Sequence, residues 1–123
     1  MTTVHTTDAP AAIGPYSQAK IVGNFVFASG QIPVNPATGA VDSDDIEGQA
    51  AQSCKNVAAI MEAAGTSIEM VFKTTCFLAD MNDFAAFNAV YEQYFSSKPA
   101  RSCVAVKTLP KGVLCEIEAI AEL

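Results

Sequence analysis

The sequence predicts a two-layer α+β fold in which two helices cover one face of a mixed β-sheet. Its 123 residues suit one domain spanning 1–123, and half of them are apolar, enough for one continuous core. Segments with strand and helix patterns follow in the order β-β-α-β-α-β-β. Two helices with short connections predict two parallel crossovers and leave the second face of the sheet without a helix.

The first predicted element is a β-hairpin over residues 16–31. Two β-prone runs flank Gly23-Asn24, a pair suited to the positive φ angles of tight hairpin turns. A loop over 32–43 follows, because three residues there interrupt regular structure: Pro33, Pro36 and Gly39.

Residues 44–64 predict the first helix. Apolar side chains recur there at spacings of three and four and form one stripe: Ile46, Ala50, Cys54, Val57, Ile60, Met61 and Ala64. Asp44 with Glu47 three residues later resembles a capping box, and Gly65 is a natural C-terminal stop.

The second half of the chain predicts three strands and one helix. Residues 71–79 are β-branched and aromatic and predict a strand, and residues 82–95 predict a helix with aromatic side chains on one face. Residues 101–108 predict another strand, which a turn at 109–112 separates from the last strand over 113–122.

Each of the last two strands has an apolar face and a mixed face. In the last strand, four small or apolar residues suit the helix-covered side: Cys115, Ile117, Ala119 and Ala121. The opposite side holds Glu116, Glu118 and Ile120. In the strand over 101–108, Arg101 shares its side with Cys103, Ala105 and Lys107. The mixed faces are either solvated or buried against other subunits, and we expect the functional site there.

Composition and charge narrow the classes of function. A net charge of −6, with seven basic residues scattered among thirteen acidic ones, argues against a nucleic-acid partner. No apolar run approaches a membrane span, and residues 1–16 lack the pattern of a secretory or mitochondrial signal. We therefore expect a cytoplasmic protein without a membrane partner.

The cysteines and the single histidine predict neither a metal site nor a cysteine or serine nucleophile. The four cysteines have no C-x-x-C spacing and are interpreted as reduced thiols that pack as small apolar side chains: Cys54, Cys76, Cys103 and Cys115. His5, the only histidine, falls in a terminal segment, which makes a Ser-His-Asp or Cys-His system implausible.

Arg101 is the first candidate site residue, because it is the only arginine and follows a proline closely at the start of a strand. A guanidinium can bind a carboxylate through two parallel hydrogen bonds. The alternative is a surface ion pair with a nearby glutamate.

Glu116 is the second candidate, because it lies between apolar neighbours in a strand. A partly desolvated carboxyl group holds its proton more tightly, and it can transfer a proton or position a water. The alternative is a structural pair with Arg101 or Lys107. Glu118 has the same alternation and remains a possible substitute in that role.

Four further residues are weaker candidates. Tyr16 offers a ring and a hydroxyl after Gly14-Pro15, although a sheet-edge aromatic is the better explanation from the residues alone. Ser29 and Gly30 end the second strand, where glycine permits close approach of a ligand to the backbone, and a plain strand terminus explains them equally well. Asn88 falls in the second helix and needs a polar partner, which a loop or a ligand can supply.

Several segments together resemble the RidA/YjgF family. They are APAAIGPYSQ (9–18), SGQIPVNPATG (29–39), NDFAAFNAVYEQYF (82–95), PARSCVAV (99–106) and EIEAIA (116–121). The resemblance covers nearly the whole chain in the right order. It implies a chorismate-mutase-like α+β fold that assembles as a homotrimer with three clefts between subunits.

The resemblance also implies a reaction. Family members hydrolyse reactive 2-imino acids, or their 2-aminoacrylate-type enamine tautomers, to 2-keto acids and ammonia without a cofactor. By position, Arg101 corresponds to the carboxylate-binding arginine and Glu116 to the glutamate that handles the water or a proton. Tyr16 corresponds to the site tyrosine, and the remaining matches in the cleft are Ser29, Gly30, Asn88 and Cys103.

Three other functions stay open at this point. A non-catalytic protein that binds or senses a small carboxylate would use the same cleft. An endoribonuclease fits poorly with the acidic charge, and the sequence does not address a chaperone role. Lys98 replaces a common aromatic residue before Pro99, which leaves the rim of the cleft, and hence the substrate range, open.

Overall fold

The computed structural model describes all residues from 1 to 123. Six strands form one mixed sheet: β1 (Thr2–Val4), β2 (Ala19–Val22), β3 (Phe25–Gln31), β4 (Val71–Leu78), β5 (Ala100–Ala105) and β6 (Cys115–Glu122). Two α-helices lie on one face, α1 (Ile46–Ala63) and α2 (Phe84–Tyr94), and short 3-10 turns occupy Ile68–Met70, Met81–Asp83 and Pro110–Gly112. The predicted α+β architecture is confirmed.

The strand order β1-β2-β3-β6-β4-β5 contains both predicted crossovers. Strands β3 and β4 are both antiparallel to β6 and hence parallel to each other, with α1 connecting them. Strands β4 and β5 are parallel neighbours connected by α2. The hairpin turn is also as predicted, with Gly23 at φ +58°.

Strand β1 was not predicted. Its three residues pair antiparallel with β2, and two of them are exposed threonines, too short a run to show an alternating pattern. It places the edge of the sheet one strand further out than expected. His5, which follows β1, is exposed and lines a cavity together with Tyr16.

The predicted start of α1 and the predicted end of β5 were wrong, and the observed hydrogen bonds explain both differences. Asp45, not Asp44, caps α1, and its side chain accepts a hydrogen bond from the Gly48 amide at 2.7 Å. Strand β5 stops at Ala105, short of the predicted 108, because its partner β4 ends at Leu78.

The core lies between the two helices and one face of the sheet. The apolar stripe of α1 is fully buried from Ala50 to Met61. From β6, the core receives the four residues predicted to face the helices: Cys115, Ile117, Ala119 and Ala121. Asn56 of α1 reaches out of this layer and donates to the carbonyls of Ile32 and Val34, so it fixes the loop after β3.

The opposite face of the sheet has no covering layer in the single chain. Three phenylalanines on that side remain more than two-fifths exposed, namely Phe25, Phe27 and Phe72, and Val104 is 47% exposed. The rings of Phe25 and Phe72 meet edge to face at 5.7 Å. We call this side the open face.

Candidate active site

Arg101 lies on β5, an edge strand, and its side chain packs against α2. The Arg101 Cζ lies 4.8 Å from the ring centre of Tyr91 and 5.5 Å from that of Phe84. Between these rings, the guanidinium Nη1 donates a hydrogen bond to the Asn88 Oδ1 at 2.8 Å. The three partners sit at i, i+4 and i+7 of the helix, and therefore on one side of it.

The environment of Arg101 differs from the surface ion pair, which was the alternative to carboxylate binding. No carboxylate of the chain forms an ion pair with it, so the surface ion pair with a glutamate was wrong. Four of its five N–H groups have no hydrogen-bond partner in the chain, since only one is used by Asn88. The polar partner that Asn88 needs is the guanidinium itself.

The prediction that the Arg101 side of β5 lies outside the helix layer was also wrong. Arg101 and Cys103 lie on the side of the sheet that carries the helices, next to the buried β4 residues Thr74 and Cys76. The alternation within β5 was correct, but the assignment of sides was inverted. Because α2 packs over this edge strand, the side chains of Arg101 and Cys103 lie on the helix side of the sheet.

Glu116 lies on the open face, as predicted. Burial raises the pKa of its carboxyl group, and the neighbouring Glu118 carboxylate raises it further. None of the side-chain hydrogen bonds of the chain reaches Glu116, and neither Arg101 nor Lys107 pairs with it. A half-buried carboxyl group with a raised pKa and unused acceptor atoms is suited to hold a water or to exchange a proton.

Gly30 provides the space for the Glu116 carboxylate. The pairing of β3 with β6 shifts register between Ala28 and Gln31, so Ser29 and Gly30 form a β-bulge opposite β6. A Cβ atom at Gly30 would lie 2.8 Å from the Glu116 Cδ, too close for any side chain. The close approach expected at this glycine is therefore made by the glutamate of the chain.

Ser29 connects this bulge to the loop that contains Tyr16. The Ser29 hydroxyl donates to the Ser17 carbonyl at 2.6 Å, and its amide donates to the Gln18 carbonyl at 2.9 Å. Tyr16 belongs to the loop before β2 and is half exposed, so the expected start of the strand at residue 16 was wrong. Tyr16 also lines a cavity of about 370 Å³ with Ile32 and Val34.

Gln18 is a residue of this region that the sequence reasoning missed. It is buried, and its amide accepts from the Thr6 amide at 2.8 Å and donates to the carbonyls of Thr6, Ala9 and Pro10. These bonds fold residues 6–10 against the start of β2 and thereby set the course of the loop that carries Tyr16. Its place at the end of the APAAIGPYSQ segment was the available signal.

The thiols are free and, with one exception, buried. Cys54, Cys76 and Cys115 belong to the core, and burial raises the pKa of Cys76 and of Cys115 to about 12. Cys103 is partly exposed beside Arg101, and burial raises its pKa although the guanidinium opposes this. A thiol of raised pKa is a poor nucleophile, which agrees with a packing role.

The candidate residues fall into two groups on opposite sides of the sheet. Arg101, Asn88 and Cys103 form the edge group on the helix side, and Glu116 with the bulge residues Ser29 and Gly30 forms the open-face group. Tyr16 lies in the loop before β2. Arg101 pairs in register with Thr74, which pairs with Ala119, three residues beyond Glu116. The backbone of Arg101 is therefore two strand spacings (about 10 Å) across the sheet from β6, and Glu116 lies three residues (about 10 Å) along β6 from that point. Because the two side chains also project from opposite sides of the sheet, one ligand of amino-acid size cannot contact both groups of the same chain.

Comparison with known proteins identifies the family. The family model described as Endoribonuclease L-PSP matches residues 6–123. The chain belongs to this family. The deaminase named 2-iminobutanoate/2-iminopropanoate deaminase of Salmonella typhimurium is 55% identical over 123 residues, covering 97% of this chain and 95% of the relative. A Lactococcus lactis relative, 52% identical over the whole chain and 98% of its own length, carries a provisional name as the regulator AldR.

Solved structures of the family have the same fold. The crystal structure of the YjgF gene product of Escherichia coli superposes with a TM-score of 0.95 at 53% identity, covering 99% of this chain and 98% of that one. Escherichia coli TdcF, solved with bound serine, gives a TM-score of 0.95 at 49% identity over 100% and 99% of the two chains. The resemblance to the RidA/YjgF family is thus confirmed.

Two further features bear on the class of protein. Neither helix has the length and apolar character that crossing a membrane requires. No three side chains of His, Cys, Asp or Glu come together in an arrangement that would hold a metal ion.

Proposed function

We propose that the protein is a deaminase that hydrolyses 2-imino acids, including 2-iminopropanoate and 2-iminobutanoate, to 2-keto acids and ammonia. The observation that carries this proposal is the Arg101 guanidinium, which is held by α2 with four N–H groups free and no carboxylate partner in the chain. A planar fork of donors suits the carboxylate of a small organic acid. The family relative named as a deaminase supports the choice of substrate.

In the proposed reaction, Arg101 fixes the substrate carboxylate and Glu116 manages the attacking water. The substrate reacts as its protonated imine: Glu116 takes a proton from the water as the water oxygen bonds to the imine carbon, and the electron pair of the C=N bond moves to nitrogen. Glu116 then returns this proton to the amine nitrogen of the carbinolamine. The C–N bond breaks, the nitrogen leaves as ammonia, and the carbinolamine hydroxyl loses its proton to the solvent as the carbonyl of the keto acid forms. An enamine such as 2-aminoacrylate enters after protonation at carbon to its imine tautomer. Placement of the reactants supplies much of the rate enhancement.

Tyr16, Ser29 and Cys103 complete the proposed site. Tyr16 offers its ring and hydroxyl as one wall, and Ser29 and Gly30 offer the backbone of the bulge to the imine end of the substrate. Cys103 contributes its backbone next to Arg101, while its thiol takes no part in the chemistry. No step of this reaction needs a cofactor or a metal ion.

We further propose that each site forms between two subunits of a homotrimer. The edge group and the open-face group cannot meet within one chain, so a complete site needs the edge of one subunit against the open face of the next. The exposed side chains Phe25, Phe27 and Phe72 support burial of that face. A cyclic trimer repeats one such heterologous contact three times and closes on itself.

The direct test is to generate 2-iminopropanoate with a serine dehydratase and to follow formation of the keto acid with and without the protein. We expect faster formation of pyruvate with wild-type protein and the uncatalysed rate with Arg101→Ala. Unchanged kinetics with wild-type protein, or full activity of Arg101→Ala, would overturn the proposal.

A carboxylate-binding protein without turnover is the second candidate. Escherichia coli TdcF with bound serine shows that a relative binds an amino acid, and one relative is named for regulation. Glu116 distinguishes the two candidates, since a sensor with Glu116→Ala keeps its ligand affinity and has no turnover to lose. The acidic charge of −6 and the single exposed histidine give no support to RNA cleavage.

A further inference from the structure

Tyr91 and Thr74 form a buried pair directly behind Arg101. The Tyr91 hydroxyl and the Thr74 Oγ1 are 2.6 Å apart in a hydrogen bond inside the core, and both residues are buried. Thr74 is the register partner of Arg101 across β4 and β5. The strand neighbour of the arginine thus anchors the ring against which the guanidinium packs.

The ring of Tyr91 has little freedom to move. It stacks on Phe95 with ring centres 4.4 Å apart and packs against Phe87 at 5.8 Å. Burial raises the pKa of Tyr91 to about 12, so the hydroxyl stays protonated and able to donate to Thr74. A phenylalanine would fill the same stack but would remove the hydrogen-bond partner of the buried Thr74 hydroxyl. The hydroxyl therefore has a use beyond packing.

We propose that Thr74 and Tyr91 are positioning residues for the guanidinium of Arg101. The Thr74 hydrogen bond fixes the Tyr91 ring, and the ring and Asn88 together fix the plane and rotation of the guanidinium. This orients its free N–H groups toward the substrate carboxylate. The proposal rests on the proposed function for its consequence in catalysis, but the ordering of Arg101 is a property of the protein alone.

The consequence is a specific kinetic pattern. The carboxylate interaction is the same in the bound substrate and in the transition state, so loosening Arg101 weakens binding and leaves the chemical step intact. Tyr91→Phe and Thr74→Val each remove one partner of a hydrogen bond, and we expect each to raise KM about 5-fold at nearly unchanged kcat. Thr74→Ser keeps the hydroxyl that Thr74→Val lacks, so its KM should equal that of wild type.

The matched control is Tyr94→Phe, which removes a tyrosine hydroxyl from the same helix without a contact to Arg101. It should leave KM unchanged. A purely structural role for the pair would instead lower the melting temperature of Tyr91→Phe and Thr74→Val with no change of KM, and that result would overturn the proposal.

A measurement without substrate separates this proposal from the proposed function. Arg101 is the only arginine, so its Nε–Hε group gives a single NMR cross-peak. We expect faster exchange of this proton with water in Tyr91→Phe and Thr74→Val than in wild type, Thr74→Ser and Tyr94→Phe. Equal exchange in all five folded proteins would refute positioning, even if the deaminase activity is real. Absence of activity with altered exchange would refute only the proposed function.

Discussion

The edge group around Arg101 and the open-face group around Glu116 differ in how complete they are within one chain. Arg101 has an aromatic ring on two sides, a hydrogen-bond partner in Asn88 and a buried support in Thr74. Glu116 has a glycine beneath it and open surface above it, and no donor of the chain contacts it. The surroundings of Arg101 are thus supplied by its own chain, whereas the Glu116 carboxyl group has no hydrogen-bond donor from its own chain.

This difference suggests that the edge group binds the substrate and the open-face group carries out the reaction, which substitutions can test. If the edge group binds and the open-face group reacts, changes at the two places should separate into effects on KM and on kcat.

Glu116→Gln should have the largest effect on turnover. The amide has almost the same shape as the carboxyl group but cannot accept a proton from water, so we expect kcat to fall about 1,000-fold at nearly constant KM. Steady-state kinetics of imine hydrolysis measure this. Glu118→Gln, on the same face of β6, is the matched control and should keep kcat within about 2-fold. A large loss of kcat in Glu118→Gln but not in Glu116→Gln would show that Glu118, and not Glu116, acts on the water.

Arg101→Lys should act mainly on binding. Lysine keeps the positive charge but loses the fork of parallel donors and the flat surface that packs on Tyr91, so we expect kcat/KM to fall about 100-fold through KM. Calorimetric titration with 2-ketobutyrate checks the same loss without turnover. Lys107→Ala, in the segment just after β5, serves as a control for loss of charge. Equal affinity in Arg101→Lys and wild type would show that the fork is not used.

Gly30→Ala should have an intermediate effect on kcat. The added methyl group displaces the Glu116 carboxylate, which is the flexible partner of the clash, so we expect kcat to fall about 10-fold with a normal melting temperature. A double-mutant cycle with Glu116→Gln tests the cause. If Gly30 acts through Glu116, adding Gly30→Ala to Glu116→Gln costs nothing further.

The smallest expected effect is on stability and depends on pH. Burial favours the neutral form of Glu116, so its contribution to stability is fully present below the ordinary pKa of 4.5 and is lost as pH rises through the raised pKa. Glu116→Gln stays neutral throughout. We expect the variant to melt at a higher temperature than wild type at about pH 7. At about pH 4, the two proteins should melt at the same temperature. A lower melting temperature at neutral pH would mean that ionised Glu116 has a stabilising partner.

The sequence predicted the layers and the core because those follow from periodicity. The stripe of α1 and the alternation of β6 are strong patterns, and residues such as Ile60 and Ile117 are buried where they indicated. Glu116 was placed on the correct face for the same reason, since its neighbours Cys115 and Ile117 are unmistakably core residues.

The side of Arg101 could not be predicted in this way. Alternation in β5 shows that Arg101 and Ser102 point in opposite directions, but an edge strand with mostly exposed residues does not show which direction is inward. The rings of α2 settle this in three dimensions. Strand β1 was missed because three residues are too few to show an alternating pattern. The contact of Thr74 with Tyr91 behind Arg101 was missed because it depends on the register of β4 and β5.

The central claim is that a working site joins Arg101 of one subunit to Glu116 of another. The most direct measurement mixes Arg101→Ala with Glu116→Gln, two inactive variants, after dissociation and reassembly of the oligomer in equal amounts. In a random cyclic trimer, about one site in four combines an intact arginine with an intact glutamate, so we predict recovery of about a quarter of wild-type activity. No recovery from properly reassembled trimers would contradict the claim, because both residues would then have to act within one chain.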